Sequence, residues 1–153
     1  MTTSAAIEAE HAQAALLIQR YLGTLASHGY RYEGATVDQG KNAPDRAVFT
    51  FVNDAARRRI RISYSPPYDD HPRNLIAMVK NDQGDKFMLA HFLRAHQRDD
   101  LIGAMRAKNT DPDMAVYFDD WFRKFADLLA SELLDIIEGR RWEDVPFDWG
   151  GFK

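Results

Sequence analysis

Residues 46–67, RAVFTFVNDAARRRIRISYSPP, decide the fold. Two runs alternate with period two on either side of a short return, Asn53-Asp54-Ala55-Ala56. In the first, Ala47, Phe49 and Phe51 fall on one side and Val48, Thr50 and Val52 on the other. In the second, Ile60, Ile62 and Tyr64 face one way, and Arg59, Arg61 and Ser63 the other. Successive strand side chains point to opposite faces, so the pattern predicts an antiparallel hairpin with one buried face. Pro66-Pro67 ends the second strand, because proline cannot donate to a ladder.

Working outward, Tyr30–Val37 is β-prone and leads through a turn-rich stretch, 38–45, into the hairpin. A loop through Asp69-Asp70-His71 precedes a fourth strand, Leu75–Lys80, and Lys86–Leu89 offers a short fifth. The sheet is thus expected over 30–89. Before it, residues 4–28 read as one helix: Ala14, Ile18, Tyr21 and Leu25 recur at helical spacing, Ser4 can cap the start, and Gly29 supplies a stop. After it, helices are expected over 89–138. The last is the best marked, with Asp111 as N-cap, Pro112 in the first turn and an apolar stripe from Met114 to Ile137. At 1.5 Å per residue it would reach about 40 Å, long enough to cross the sheet. Phe49 or Phe51, Ile60, Ile62, Trp121 and Phe125 are the expected core. The tail, 142–153, is aromatic, with Trp142, Phe147, Trp149 and Phe152. This order predicts a single α+β domain over 1–153. Its antiparallel sheet of four to five strands packs against an N-terminal helix and a long C-terminal helix.

Composition narrows the function. The chain has 153 residues, 45% of them hydrophobic and 28% charged, and a net charge of −3, so it can bury a self-sufficient core. Having no cysteine, it has no disulfide framework, no Cys zinc site and no thiol nucleophile, which fits the cytoplasm. Its longest apolar runs are five residues, far short of a membrane span, and the segment MTTSAAIEAEHAQ has no secretory pattern. Net acidity argues against a nucleic-acid binder.

No catalytic, cofactor-binding or metal motif emerges. The five histidines lack the i,i+4 pairing of a helical zinc site, no serine sits in a nucleophile motif, and no phosphate-binding glycine loop is present. Asp69, Asp70 and His71 could hold a metal or a proton-transfer pair, but a solvated turn explains them as well. Arg57, Arg59 and Arg61 would share one strand face. That row could touch phosphate, although pairing with nearby acids or guarding the sheet against aggregation accounts for it more simply.

Charge is uneven. Residues 46–108 carry twelve basic and seven acidic groups, whereas 109–153 carry five basic and eleven acidic. In the acidic third, Asp113, Asp119, Asp120, Glu143, Asp144 and Asp148 could ring the aromatics Tyr117, Trp142 and Trp149. Aromatic anchors inside a charged rim make a tight interface, so these nine residues form the expected partner surface. Alternatively, the acids balance the basic middle and the aromatics belong to the core.

The helix, GYRYEGATV (29–37), the AVFTFVND…RRIRISYSP hairpin, the further strand and WFRKFADLLASELLDIIEGRRWEDV (121–145) together resemble the small immunity-type proteins of bacterial polymorphic toxin systems. The resemblance covers residues 10–145. It implies a cognate toxin as partner, neutralised by tight protein–protein binding, and brings no catalytic residue with it. Two other readings remain open: a secretion-chaperone-like adaptor for an effector protein, and a small enzyme centred on Asp69, Asp70 and His71.

Overall fold

The expected hairpin is the middle of a five-stranded antiparallel sheet in the computed structural model, which describes residues 4–146. Strands β1 (Arg31–Asp38), β2 (Arg46–Asn53), β3 (Arg58–Ser65), β4 (Asn74–Asn81) and β5 (Lys86–Met88) are neighbours in chain order. The register pairs Phe49 with Ile62 and Phe51 with Ile60, then Ile60 with Val79 and Ile62 with Ala77. That places every apolar member of the alternation on one face. Phe49, Ile60, Ile62, Tyr64 and Val79 are all completely buried there. The fold is α+β, as the alternation predicts.

Helices cover that face. Helix α1 (Ser4–Ile18) is followed by a 3-10 turn (Gln19–Tyr21) and α2 (Leu22–Ala26), so the single helix expected over 4–28 is divided. Tyr21 leaves helical geometry, with φ −112° and ψ 6°. Its ring lies flat on Phe122, with centroids 4.2 Å apart. The predicted face survives the break, since Ala14, Ile18 and Leu25 stay fully buried. Helices α3 (Leu89–Ala95) and α4 (Asp99–Met105) follow the sheet, and α5 (Met114–Leu129) crosses the core.

The long last helix is also corrected at both ends. Its N-cap is Asp113, whose carboxylate accepts from the Ala115 N–H at 3.0 Å. Asp111 instead holds the Asp113 N–H at 2.8 Å, two residues too early to start the helix. At the other end, the Ser131 hydroxyl donates to the Asp127 carbonyl at 2.6 Å. This local bond competes with the helical ladder. The Ser131 N–H falls back to Leu128 O at 3.2 Å, and the Leu133 N–H reaches the same carbonyl at 2.9 Å. A separate turn, α6 (Leu134–Ile137), then resumes. The break lets Leu133, Ile136 and Ile137 all turn inward, each completely buried. Among the described residues, no helix is long and apolar enough to cross a membrane.

The end of α6 is clamped to the hairpin. The Tyr30 hydroxyl donates to Ile137 O at 2.6 Å, and burial pushes that phenol far above its ordinary pKa. The Arg58 guanidinium donates to Ile136 O at 2.8 Å and to Arg141 O at 3.0 Å. Gly139 closes the helix at φ 80°, and a Cβ there would lie 2.6 Å from Ala56 O. Gly139→Ala therefore meets both a left-handed backbone and a main-chain wall. It should cost about 2–4 kcal/mol in urea unfolding, more than the strain of a left-handed alanine alone. A loss below about 1 kcal/mol would show that the turn yields freely.

Candidate functional site

The expected acidic and aromatic ring does not assemble. Tyr117 is completely buried, so it cannot anchor a partner. Its hydroxyl accepts from the Leu75 N–H at 2.7 Å, satisfying a sheet donor, and burial pushes its pKa up to about 12. Asp120 is 7% exposed and is bridged by Arg123 at 2.8 Å and Lys124 at 2.7 Å. Lys124 also donates to Ala104 O at 2.6 Å, tying α5 to the end of α4. Asp120 is thus a packing element, and its neighbour Asp119 alone is exposed. Asp113 is committed to its cap. Asp148 and Trp149 lie outside the described residues.

Trp142 is half buried, its ring 5.3 Å from Phe87 and 5.1 Å from the Arg58 guanidinium. It packs near the Asn81 end of β4, since Arg58 pairs with Asn81, whereas Tyr117 touches Leu75 at the other end. Six residues of strand, about 20 Å, separate those positions. The two aromatics therefore cannot belong to one ring. Asp144 is exposed.

Glu143 sits 2.6 Å from His96 Nε2 and 3.1 Å from Arg141. Burial works to raise its carboxyl, but the hydrogen bonds from His96 and Arg141 outweigh it and hold the carboxyl below its ordinary range. A folded value below the unfolded one stabilises the fold above the ordinary carboxylate range. That contribution is lost as pH falls through the folded value. Glu143→Gln should therefore flatten the acid limb of stability between about pH 5 and pH 3. Urea midpoints at stepped pH read this directly, and an unaltered slope would count against the pair.

The Asp69-Asp70-His71 segment is a tight turn. Main-chain bonds join Tyr68 and His71 in both directions, at 3.1 and 2.8 Å, and their rings stack at 4.7 Å. Asp69 takes φ 47°, and both aspartates are exposed. Among the described residues, no group of three or more His, Asp or Glu could hold a metal ion.

The arginine row is only partly as expected. Arg57 belongs to the turn, at φ 57°, and approaches Asp82 at 3.9 Å. Arg59 and Arg61 do share a strand face, where they pair with Glu33 at 3.1 Å and Asp38 at 3.6 Å. Arg58, part of the same basic run, stands on the core side, two residues before Ile60 in the alternation. It is 8% exposed, and the acceptors of its hydrogen bonds are carbonyls.

The second face of the sheet is built differently. Val48 and Val52 are 0% and 4% exposed, yet both stand outside the core cluster that takes in the buried apolar residues of the helices. Across this face the register sets Val52 beside Arg59 and Arg59 beside Lys80, and sets Arg61 beside Met78, which adjoins Met88. Ile76, Met78 and Met88 are partly exposed there. Lys80 and Lys86 have no ion pair among the described residues. On β4 and β5 this face is partly open: Ile76, Met78 and Met88 lie beside Arg61 of β3, and Lys80 and Lys86 stand opposite each other at one end. No family model, curated protein or solved structure matches the chain.

Proposed function

We propose that the chain is an immunity-type protein that neutralises a cognate toxin by tight protein–protein binding, and that the open sheet face is its docking surface. The observation carrying this reading is the partly exposed apolar strip of Ile76, Met78 and Met88 on β4 and β5, with Lys80 and Lys86 side by side at one end of it. Flexible methionine side chains adapt to a partner, and desolvated apolar anchors slow dissociation. Unpaired lysines steer an acidic partner and speed encounter. The complementary toxin surface is therefore acidic at its rim, the opposite sign from the one the acidic third of the sequence suggests.

The test uses the protein encoded beside this one, purified as the candidate toxin. Lys80→Glu with Lys86→Glu should weaken binding at least tenfold, mainly through slower association and a changed salt dependence. Met78→Asp should raise the dissociation rate. Both variants should keep the thermal midpoint within a few degrees. Binding that survives both changes would place the interface elsewhere. Absence of any binding to the neighbouring gene product would remove the immunity reading itself.

The free edge of β1 favours a second reading, the effector adaptor. Among the described residues that strand pairs only with β2, and Val37 is 57% exposed on it. An extended effector segment could add there as a sixth strand. Binding of an unfolded segment, lost on Val37→Pro but not on Met78→Asp, would select it.

A further inference from the structure

Two adjoining hollows meet at the start of β4, on a part of the molecule that the docking proposal does not use except for Ile76. The inner one, about 60 Å³, lies between β4 and helices α3, α4 and α5. Leu89, Leu93, Ile102, Met105 and Trp121 line it. The outer one, about 310 Å³, is lined by Ser65, Tyr68, His71 and Asn109. Asn74, Ile76 and Arg106 belong to both. The opening exists because β5 pairs only with Met78–Lys80, which leaves the beginning of β4, on the side away from β3, without a strand among the described residues.

We propose that this cleft binds a small anion carrying a short aliphatic end. Among the described lining residues of either hollow no carboxylate is present, and the groups that can carry positive charge are Arg106 and His71. The Arg106 guanidinium has no ion pair among the described residues. A guanidinium matches the paired oxygens of a carboxylate or phosphate. Asn74 turns its side-chain oxygen toward the Tyr117 hydroxyl at 3.4 Å, which leaves its N–H groups for a ligand. Asp69 and Asp70 share the turn with His71 but line neither hollow.

Size sets the other end of the ligand. A cavity of about 150 Å³ holds benzene, and one water occupies about 30 Å³ of liquid. The inner hollow therefore has room for roughly two methylene-sized groups, the end of a short alkyl chain whose remainder lies toward the outer hollow, and excludes an aromatic ring. A docking strand is a poorer occupant. It would need the Leu75 N–H, and the Tyr117 hydroxyl already holds that donor at 2.7 Å.

The test is calorimetric titration of the whole chain with butyrate, butyl phosphate and inorganic phosphate, with tryptophan fluorescence followed in parallel because Trp121 lines the inner hollow. Saturable binding of a butylated anion, tighter than phosphate alone, is the expected result, and the preferred head group tells carboxylate from phosphate. Arg106→Gln, at an exposed position, should weaken it at least tenfold. Ala90→Met, which fills the inner hollow, should erase the advantage of the butylated anion over inorganic phosphate while the thermal midpoint holds. No saturation by any of the three up to about 10 mM would overturn the proposal. So would affinity that is unchanged in Arg106→Gln, or phosphate bound as tightly as butyl phosphate. Each of these results leaves the docking proposal standing, because Lys80, Lys86 and Met78 line neither hollow.

Discussion

Arg58→Ala is expected to lose about 3–5 kcal/mol of stability, an unusual cost for removing an arginine. The side chain is buried, and its guanidinium serves Ile136 O, Arg57 O and Arg141 O, with the Trp142 ring 5.1 Å away. Hydrogen bonds from a charged donor contribute about 1.5–3 kcal/mol each, and buried carbonyls left without a donor add a desolvation penalty. Two further variants divide the effect. Arg58→Met keeps the stem that packs under Trp142 and loses the hydrogen bonds, so it should recover only part of the loss. Arg58→Lys keeps the charge but replaces a planar fork with a point donor, and should fall between Met and wild type. Urea midpoints at constant m-value measure all three. A loss under about 1 kcal/mol for the alanine variant would mean that the clamp is decorative.

Trp121→Ala should cost a similar amount, about 3–5 kcal/mol, by a different route. The indole is 2% exposed and touches Phe122 and Phe125, with centroids 4.9 and 4.8 Å away. Its removal leaves a cavity beside a hollow that already exists under β4. Collapse there is limited by the sheet on one side and α5 on the other, so the cost falls toward the upper part of the range. Trp121→Phe retains most of the volume and should cost roughly half as much. An alanine variant as stable as the phenylalanine one would show that the site closes up on truncation.

The two variants also separate the clamp from the core. Among the described residues Arg58 and Trp121 share no hydrogen-bond or ring partner, so a double variant should lose close to the sum of the single losses.

The sheet was legible because a strand has one strong signal. Period two in 46–52 and 58–65 fixed which residues face inward, and the turn residues at 53–56 fixed the pairing partner. The same count also places Arg58 inward, but a run of three arginines carries the composition of a solvated surface, which masks its position in the alternation. The helix breaks were less visible. Apolar spacing runs unbroken from Met114 to Ile137, and nothing in it reveals that the Ser131 hydroxyl will bond to Asp127 O.

The partner surface was legible only as composition. A high count of acids near aromatics is a property of the chain, whereas a ring of them is a property of the fold. Tyr117 and Asp120 turned inward because α5 presents one broad face to the sheet and its flank to α4: Tyr117 found its partner across that contact in the Leu75 N–H, whereas Asp120 is held by Arg123 and Lys124 of its own helix, and Lys124 makes the bond to Ala104 O of α4. Trp142 was drawn to the far end of β4 by Phe87 and Arg58.

By itself the sequence determined the α+β class, the antiparallel pairing and a buried set of Phe49 or Phe51, Ile60, Ile62, Trp121 and Phe125, and both phenylalanines are buried. These follow from local periodicity, which acts between residues a few positions apart. Only the tertiary structure decided that the acidic ring is dispersed, that Arg58 clamps α6, and that one sheet face and the start of β4 stay open. Those outcomes depend on which distant segments meet: Arg58 with Ile136, Leu75 with Tyr117, and a β5 too short to cover its neighbour. No pattern along the chain encodes a meeting between residues 42 or 78 positions apart, because their geometry is set by the packing of every element between them.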